Sequence, residues 1–417
     1  MKKDSEIIVV GAGLVGAACA LRLAHEGRDV LLIDAQAPGL GASFGNAGHI
    51  ATEQVTPLAS AAVIRASWRH LLAAESPLRI RLGYLLPILP WLARFVWAAR
   101  PSQYARGVAA LMSLQETALA DLRELAELAG TLQQLHRRGY LRVWESTPGA
   151  KSALAQAAEA RRYGIRTESW PADALPAGLS PAVSGAMFYP DTGHVDDPHA
   201  LCAGFVEAFK RLGGRVEQQR VLRLAAQDDS VSASLEDGST RCARQLVLAA
   251  GAWSRPLAAS LGRFEPLDTE RGYHITLPWG DAPRLPLPFA LPIASTERSV
   301  IMTPMTPGLR MTGTLEFGGL RLAPDPRRYA LLRRQMRALV PSADITRAST
   351  WMGFRPSMPD HMPVIGRVPN ARNIVFAFGH QHLGLTLSGV SARLVSDLLA
   401  GRETTLDMAP FRVGRFR

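Results

Sequence analysis

The hydrophobic pattern at the start of the chain predicts a strand, a helix and a second strand in close succession. Ile7–Val10 is a continuous apolar run, which is typical of a strand buried on both faces. A glycine-rich turn follows, and the next apolar stretch predicts a helix over Ala17–His25 that stops at Gly27. A second apolar run, Asp29–Ile33, ends at Asp34. The chain therefore opens with a β–α–β unit whose second strand is followed by an acidic residue.

The glycines of the first turn have the spacing of a dinucleotide-binding site. Gly11 permits the tight turn, Gly13 lets the backbone approach a pyrophosphate, and Gly16 lets the helix pack closely on the strand. The N-terminus of the helix directs unpaired N–H groups and a partial positive charge at the phosphates. Asp34 is placed to accept hydrogen bonds from ribose hydroxyls. By itself the motif does not distinguish FAD from NAD.

A second glycine-rich loop near the other end of the chain separates these two cofactors. The apolar run Asn373–Gly379 predicts a strand, and the loop Gly379–Gly389 joins it to a helical pattern that stops at Gly401. Two such helix entries suggest two electrostatic contacts with one long cofactor. At the N1–C2=O edge of an isoalloxazine, the second helix would stabilise the anionic reduced flavin, which NAD does not require. The pattern therefore favours FAD.

Composition and charge narrow the function class. The 417 residues are 47% hydrophobic and 20% charged, as in an ordinary globular protein of two or three domains. The net charge is +11, but no nucleic-acid-binding motif accompanies it, so nucleic acid is not an expected partner. Cys19, Cys202 and Cys242 form no CxxC pair, which argues against disulfides and cysteine zinc sites. We therefore expect a reducing, cytoplasmic compartment.

Four segments give the chain a resemblance to a known family. They read IIVVGAGLVGAACA (7–20), GASFGNAGHI (41–50), LVLAAGAWS (246–254), and GFRPSMPDHMPVIG (353–366) with GHQHLGLTLSG (379–389). The sequence resembles the FAD-dependent oxidoreductases of the D-amino-acid oxidase superfamily, and within it the bacterial D-amino-acid dehydrogenases. The segments span nearly the whole chain in the family's order. They are specific for the superfamily and less specific for the substrate.

The resemblance implies an α/β fold with two intertwined domains. A Rossmann-like FAD-binding domain would comprise residues 1–80, 190–265 and 350–417. An α+β substrate domain with a mixed sheet would comprise residues 81–189 and 266–349. Hydrophobic patterns agree where they can be interpreted, because they predict a helix over Ala200–Leu212, a strand over Val231–Leu235 and a buried strand over Leu246–Ala250.

The resemblance also implies which residues contact the cofactor. From the N-terminal half these are Gly11, Gly13, Leu14, Val15, Gly16, Asp34, Ala35, Ser43, Asn46, Ala47 and Gly48. From the remainder they are Val221, which would contact the adenine side, Gly251, Trp253, Gly379, Gly384, Leu385 and Thr386. Some family members attach the flavin to a cysteine or histidine. Because no cysteine lies beyond Cys242 and Gly45-Asn46 precede Ala47 and Gly48, we expect FAD to be bound non-covalently.

Arg355 is the leading candidate for binding the substrate. It lies in Gly353-Phe-Arg355-Pro and matches the family's carboxylate-binding arginine, whose planar guanidinium can bind both carboxylate oxygens. The alternative is a structural ion pair with Asp360. Tyr273 matches a family position near the substrate, or is a strand tyrosine with its ring in the core.

His49, His380 and His382 lie in the two loops expected to flank the flavin. A neutral imidazole there could accept an ammonium proton or bind a polar substrate tail. The alternative, which the sequence favours for each histidine taken alone, is a hydrogen-bonding loop residue. No carboxylate or cysteine cluster accompanies His380 and His382, so no metal is expected.

The segment 63–106 is both apolar and basic. It contains one acid, Glu75, and the run Leu82–Ala93, followed by Phe95, Val96 and Trp97. The arginines are Arg65, Arg69, Arg79, Arg81, Arg94, Arg100 and Arg106. The run is too short to span a bilayer, but such a surface suits a membrane interface, on the inner face of the cytoplasmic membrane. The alternative is a buried helix pair with solvated arginines.

The leading functional hypothesis is FAD-dependent oxidative deamination of D-amino acids, with electrons passed to a quinone or another acceptor. Alternatives are oxidation of a cyclic secondary amine such as D-proline or 4-hydroxy-D-proline, oxidation of glycine or sarcosine, and oxidation of an L-2-hydroxy acid. A different class is a non-catalytic, membrane-docked redox sensor. Arg355 in an otherwise complete site argues against that class.

Overall fold

The computed structural model describes residues 4–65, 76–279 and 290–416. Its strands are β1 (Ile7–Val10), β2 (Val30–Asp34), β3 (His49–Ile50), β4 (Leu78–Ile80), β5 (Leu135–His136), β6 (Tyr140–Trp144), β7 (Glu168–Pro171), β8 (Gly185–Tyr189), β9 (Gly193–Val195), β10 (Arg215–Gln218), β11 (Val221–Gln227), β12 (Ser230–Leu235), β13 (Thr240–Ala243), β14 (Gln245–Leu248), β15 (Asp268–Leu277), β16 (Ile293–Ser295), β17 (Val300–Met305), β18 (Gly308–Phe317), β19 (Ser349–Ser357), β20 (Val364–Val368) and β21 (Ala371–Phe378). The longer helices are α1 (Leu14–His25), α2 (Leu85–Ala98), α3 (Pro101–Ala129), α4 (Thr147–Arg162), α5 (Pro198–Arg211), α6 (Ser254–Ser260), α7 (Pro326–Leu339) and α8 (Ser388–Ala400).

Two large sheets organise these elements. The first has the strand order β10–β2–β1–β14–β21–β20, and its pairs are parallel except for the last. The second is a mixed sheet in the order β19–β15–β18–β17–β16–β6–β8–β7, with β4 beside β18. Small three-stranded sheets, β11–β12–β13 and β3–β9–β5, complete the described part. The predicted fold class, an α/β domain with an intertwined mixed-sheet domain, is confirmed.

The predicted domain boundaries stay a prediction, but the membership of the strands in the two large sheets can be compared with them. Strands of the parallel sheet come from the start, the middle and the end of the chain, as a discontinuous domain requires. The predicted boundary at residue 350 falls just inside β19, whose register partner is β15 of the mixed sheet. The third segment of the predicted FAD domain therefore begins with a strand of the other sheet.

Helices cover one face of the parallel sheet and pack tightly on one another. Helix α8 lies against α1 and α3, and α5 lies against α1. A Cβ at Gly389 would overlap the backbone of Asp121 and Leu122, so the glycine sets how closely α8 and α3 approach. Arg393 of α8 binds both carboxylate oxygens of Asp121, each at 3.0 Å. The resulting core contains most side chains of α1, which is buried almost all round.

The apolar and basic segment has one buried and one exposed face. Ile88 and Trp91 of α2 pack on Phe317, whereas Leu82 and Leu86 are 89% and 77% exposed. Arg69 and Glu75 lie outside the described residues. Within the described ranges no single helix is long and apolar enough to cross a membrane. Residues 82–98 and 101–129 reach the necessary length and hydropathy only when they are taken together, and the two helices are bent by 87° relative to each other.

Candidate active site

A cavity of about 480 Å³ opens at the carboxyl ends of the parallel strands. Residues after β1, β2, β14 and β21 line it on one side, and residues of β15 and β19 line it on the other. Ligands of open α/β sheets bind at this edge, where strand order reverses and helix N-termini converge. Both sheets are therefore needed to build the site.

The turn after β1 is crowded at two of its glycines and open at the third. Gly11 has a φ of +105°, and a Cβ there would overlap the Ala249 carbonyl. A Cβ at Gly16 would overlap the Gly11 carbonyl oxygen. A Cβ at Gly13 would meet only the Ser43 Oγ, at 3.2 Å. The fold thus requires Gly11 and Gly16, whereas Gly13 keeps space free beside the N-terminus of α1.

Hydrogen bonds already organise the polar groups at this turn. The Ser43 hydroxyl accepts from the N–H of Leu14 at 2.9 Å. The Asp34 carboxylate accepts from the N–H groups of Ala12 and Gln36 at 2.6 and 2.8 Å. Burial raises the pKa of Asp34, and those N–H donors oppose the rise. Each oxygen retains a lone pair for a ribose hydroxyl.

Three side chains of the mixed sheet fix the loop that follows Ser43. Arg310 donates to the carbonyls of Phe44 and Asn46 at 3.0 and 2.8 Å. His274 lies 3.3 Å from the Gly45 carbonyl and stacks on Trp351, with ring centroids 5.1 Å apart. A Cβ at Gly45 would overlap the Trp351 ring. The loop is consequently held in place from the side opposite α1.

Arg355 lines the cavity from β19. Its guanidinium lies over Gly272 of β15, where a Cβ would leave no room for it. No hydrogen bond joins it to another side chain or carbonyl in the described part of the chain, and Glu270 is its register partner across the strands. Burial lowers the pKa of Arg355, and the charge of Glu270 opposes that shift. The alternative ion pair with Asp360 is not formed, because Arg415 binds Asp360 at 2.7 and 2.9 Å.

The second glycine-rich loop reaches the cavity beside Arg355. Gln381 donates its N–H to the Pro356 carbonyl at 2.9 Å, which joins the loop to the end of β19. The loop brings His380 and His382 to the cavity wall. His380 shares a 2.8 Å hydrogen bond with Ser391 of α8. Burial lowers the pKa of both imidazoles to about 3, so both are neutral at physiological pH.

Most predicted site residues line the cavity. They are Gly11, Gly13, Leu14, Val15, Asp34, Ala35, Ser43, Asn46, Ala47, Val221, Gly251, Trp253, Arg355, His380, His382, Gly384 and Leu385. Four others support the walls from behind. They are Gly16, Gly48, whose carbonyl accepts from the Val195 N–H, Gly379, which packs on Met358, and Thr386, whose hydroxyl accepts from the Ala51 N–H.

The expectation for Tyr273 is corrected by strand geometry. Gly272 faces the cavity, so the next residue faces the opposite side of the sheet. There the Tyr273 hydroxyl donates to Glu316 at 3.0 Å and accepts from the Asp325 N–H at 3.1 Å. Burial raises the pKa of Tyr273 to about 12. The second reading, a tyrosine with its ring in the core, describes its position.

His49 also lies away from the cavity. Its Nε2 is 3.0 Å from Glu53, its Nδ1 is 3.2 Å from the Gly193 carbonyl, and its ring packs on Tyr140. The expected place beside the flavin is corrected for His49: it belongs to strand β3, where both ring nitrogens have polar partners, and it does not line the cavity.

Several cavity residues were not predicted from the sequence. Trp351, Gly353 and Phe354 line the wall together with Arg355, and Gln381 lies between the two loop histidines. Trp351 and Gly353 precede Arg355 at two-residue spacing on one strand. Residues two apart on a strand share a face, so the position of Arg355 could have indicated that Trp351 and Gly353 also face the cavity.

Comparison with known proteins agrees with this geometry. Residues 6–398 match the family DAO, described as FAD dependent oxidoreductase. The chain belongs to this family. It is an FAD-dependent oxidoreductase, and FAD is its cofactor.

Two relatives align over essentially their full length. A D-amino-acid oxidase of Bradyrhizobium diazoefficiens is 32% identical and a D-amino acid dehydrogenase of Paramagnetospirillum magneticum is 30% identical, with 100% and 99% of both chains covered. Among solved structures, glycine oxidase from Geobacillus kaustophilus has a TM-score of 0.75 at 22% identity, covering 99% of this chain and 98% of that one. The last likeness concerns the fold.

The residues of this oxidoreductase fit FAD. The space at Gly13 and the N–H groups at the start of α1 suit a pyrophosphate. Asp34, at the end of β2, lines the cavity from the parallel sheet, and Arg355 of β19 lines it from the mixed sheet, so the cavity spans both sheets. Bound FAD supplies a two-electron acceptor, and the remaining chemistry belongs to substrate binding.

We predict that Gly13→Val abolishes FAD binding while the protein stays folded. The new side chain meets only the Ser43 hydroxyl within the protein but fills the approach to the pyrophosphate. Circular dichroism should match that of the wild type, and acid precipitation should release no FAD. Gly83→Val is the matched control, since a Cβ there meets open space away from the cavity. Wild-type FAD content in Gly13→Val would contradict this assignment.

Buried imidazoles predict a pH dependence of stability. Burial lowers the pKa of His274 and of His380 from about 6.5 to about 3. Between these values the unfolded chain binds protons that the folded chain does not. Stability is therefore full above about pH 6.5 and falls toward pH 3, by up to about 1.4 kcal/mol per pH unit for each imidazole.

This contribution can be isolated with His274→Gln. Urea unfolding between pH 4 and 7 should show that the free energy of unfolding falls less steeply with decreasing pH in the variant. The difference in slope should correspond to at most one proton. Equal slopes for wild type and variant would mean that His274 is not buried in its neutral form.

Proposed function

We propose that this oxidoreductase oxidises D-amino acids, with hydride passing from the substrate α-carbon to FAD. The imine product would hydrolyse in water to a 2-oxo acid and ammonia. Support comes from two full-length relatives named for D-amino acids and from the environment of Arg355. The second observation carries the proposal, because a buried arginine in the cavity wall supports a substrate that bears a carboxylate.

Arg355 requires an anion. Its guanidinium lines the cavity, and burial lowers its pKa, so the surrounding protein does not fully compensate its charge. Glu270, the acidic group opposite, is itself engaged by the Ser357 hydroxyl at 2.8 Å. An α-carboxylate would supply two hydrogen-bond acceptors in the plane of the guanidinium. This contact would fix one end of the substrate and leave its α-carbon free to face the flavin.

The neutral histidines suit the substrate amine. With its pKa lowered to about 3, His382 accepts a hydrogen bond far more readily than a proton. We therefore assign to it orientation of the neutral amine rather than general-base catalysis. Aromatic side chains of Trp351, Phe354 and Trp253 provide the remaining wall and favour apolar substrate side chains.

FAD is proposed to be held without a covalent bond. Cys19, Cys202 and Cys242 are buried, and none of the three lines the cavity. The loop before Gly48 carries Gly45-Asn46 and has no histidine at these positions. We therefore expect acid precipitation of the wild-type protein to release FAD into the supernatant, whereas FAD that stays in the pellet would contradict non-covalent binding.

Truncation of Arg355 should greatly reduce turnover of carboxylate substrates. Arg355→Ala removes the charged partner of the carboxylate, at about 2–5 kcal/mol, or on the order of 30- to several-thousand-fold in kcat/KM. Arg355→Lys should reduce kcat/KM less than Arg355→Ala, because it keeps the positive charge. It should still be less active than wild type, since an ammonium cannot bind both carboxylate oxygens as a planar guanidinium does. Steady-state kinetics on a panel of D-amino acids, with FAD content measured in parallel, tests this.

The panel also separates the alternatives. D-Proline, 4-hydroxy-D-proline, glycine and sarcosine belong in it, and the preferred substrate is the one with the highest kcat/KM. Arg347→Ala is the matched control, because Arg347 is exposed just before the same strand. Near wild-type activity of Arg355→Ala, or loss of FAD as its main effect, would refute the substrate role.

We also propose peripheral membrane contact and transfer of electrons to a quinone or another acceptor. The exposed apolar face of residues 82–97 supports the first part: Leu82, Leu86, Leu89 and Val96 are 47–89% exposed. Arg94 lies within this segment and is partly exposed, and Arg100 follows it as an exposed residue, as suits anionic lipid headgroups. Arg81 is turned instead toward Glu316 and Asp325, at 3.6 and 3.8 Å.

Cosedimentation with anionic vesicles tests membrane contact. Wild-type protein should bind at low salt and dissociate at high salt, because screening weakens the arginine contacts. Leu82→Glu/Leu86→Glu should reduce the bound fraction about tenfold or more, since it removes apolar surface from the interface. Leu154→Glu/Leu212→Glu is the matched control at other exposed leucines. Equal sedimentation of both double variants would argue that the face does not bind lipid.

A further inference from the structure

A second group of ionisable side chains lies on the small sheet β3–β9–β5. His49, His194 and His136 are direct register partners across its three strands. Directly opposed residues share a face of a sheet, as do residues two apart on one strand. Asp196, two residues after His194, therefore joins His194 and His136 on that face.

The three groups are close enough to share one ion. His136 Nε2 lies 2.7 Å from Asp196 Oδ2, and the rings of His136 and His194 have centroids 5.0 Å apart. One donor atom from each of the three residues lies within 4.8 Å of the others. Zinc–ligand bonds of about 2.0–2.1 Å would bring these atoms closer together than they are in this structure.

His194 supplies an independent sign of a missing ligand. The residue is 1% exposed, and its Nδ1 has no hydrogen-bond partner among the described residues. A buried polar atom without a partner costs free energy and usually marks an ion or water. A cavity of about 230 Å³ opens beside His194 and Asp196.

We propose that His136, His194 and Asp196 bind a divalent transition-metal ion of the zinc class, with a solvent molecule in the fourth position. Two imidazoles and one carboxylate form a donor set that suits zinc with an open coordination position. The Nδ1 of His194, which has no hydrogen-bond partner among the described residues, is available as a ligand atom. His49 is not a ligand, because Glu53 and the Gly193 carbonyl occupy its nitrogens.

The backbone around Asp196 is held from both sides. Its N–H donates to the Gln134 carbonyl at 3.1 Å, and its carbonyl accepts from the Thr306 N–H at 2.9 Å. Arg138 lines the same cavity, and its positive charge opposes a cation. The position of Asp196 is therefore fixed before a metal binds, and the charge of Arg138 should weaken metal affinity.

Occupancy would join two predicted domains. His136 belongs to the predicted substrate domain and Asp196 to the predicted FAD domain, 60 residues further along the chain. None of the three ligands lines the FAD cavity. Metal binding should therefore raise the unfolding temperature without being required for FAD binding, and its test does not depend on the substrate proposed above.

The test uses untagged, FAD-loaded protein that has been treated with chelator and dialysed. Isothermal titration calorimetry with zinc chloride should show one site per chain. His136→Gln and Asp196→Asn should each weaken binding about tenfold or more, and Arg138→Gln should strengthen it. His25→Gln, at an exposed histidine of α1, is the matched control and should bind like wild type.

Flavin absorbance and the unfolding temperature without zinc confirm that each variant is folded. A zinc-induced rise in unfolding temperature should occur in wild type and His25→Gln and be lost in His136→Gln and Asp196→Asn. The proposal is overturned if wild type binds no stoichiometric zinc. It is equally overturned if both ligand variants keep wild-type affinity.

Discussion

The close approach of backbone to backbone at the first turn is the constraint on which the site depends. The Gly11 backbone passes the Ala249 carbonyl, and Gly16 passes the Gly11 carbonyl, at separations that exclude a Cβ. This contact sets α1 directly on the sheet and aims its first N–H groups at the cavity. Because the contact involves main-chain atoms, no change of rotamer can relieve a side chain placed there.

The other half of the site depends on pairing between strands of different segments. Strand β15 pairs with β19, and the space above Gly272 receives the Arg355 guanidinium. The loop after β21 is joined to β19 by the hydrogen bond from the Gln381 N–H to the Pro356 carbonyl. A charged group and two neutral imidazoles therefore meet at one wall, although they come from a strand of one sheet and a loop of the other. The electrostatics of the wall are asymmetric, and this asymmetry favours a ligand that is anionic at one end.

The sequence alone is sufficient to predict those parts of the site that are built from residues close together in the chain. The first glycine motif, Asp34 and the second glycine loop could be predicted, because each consists of neighbouring residues with a fixed geometry. The position of Tyr273 differs from the expectation because a one-residue step reverses the face of a strand, and the sequence does not state which face meets the cavity. His49 differs because the expected loop ends before it, and β3 pairs it with His194 of β9. The cluster of His136, His194 and Asp196 was not predicted, since only strand pairing brings these residues together.

The strand order of the parallel sheet also constrains how the protein is made. Strand β1 lies between β2 and β14, and β14 in turn pairs with β21, which begins at residue 371. During translation β1 and β2 leave the ribosome long before β14, the other neighbour of β1, and the sheet cannot close until β21 and β20 have emerged near the end of the chain. Contacts so distant in sequence slow folding and leave apolar strand edges exposed meanwhile. Chaperone engagement would therefore matter more for the yield of this enzyme than for a protein whose sheet is assembled in chain order, because the cofactor cavity also forms only when the last strands are in place.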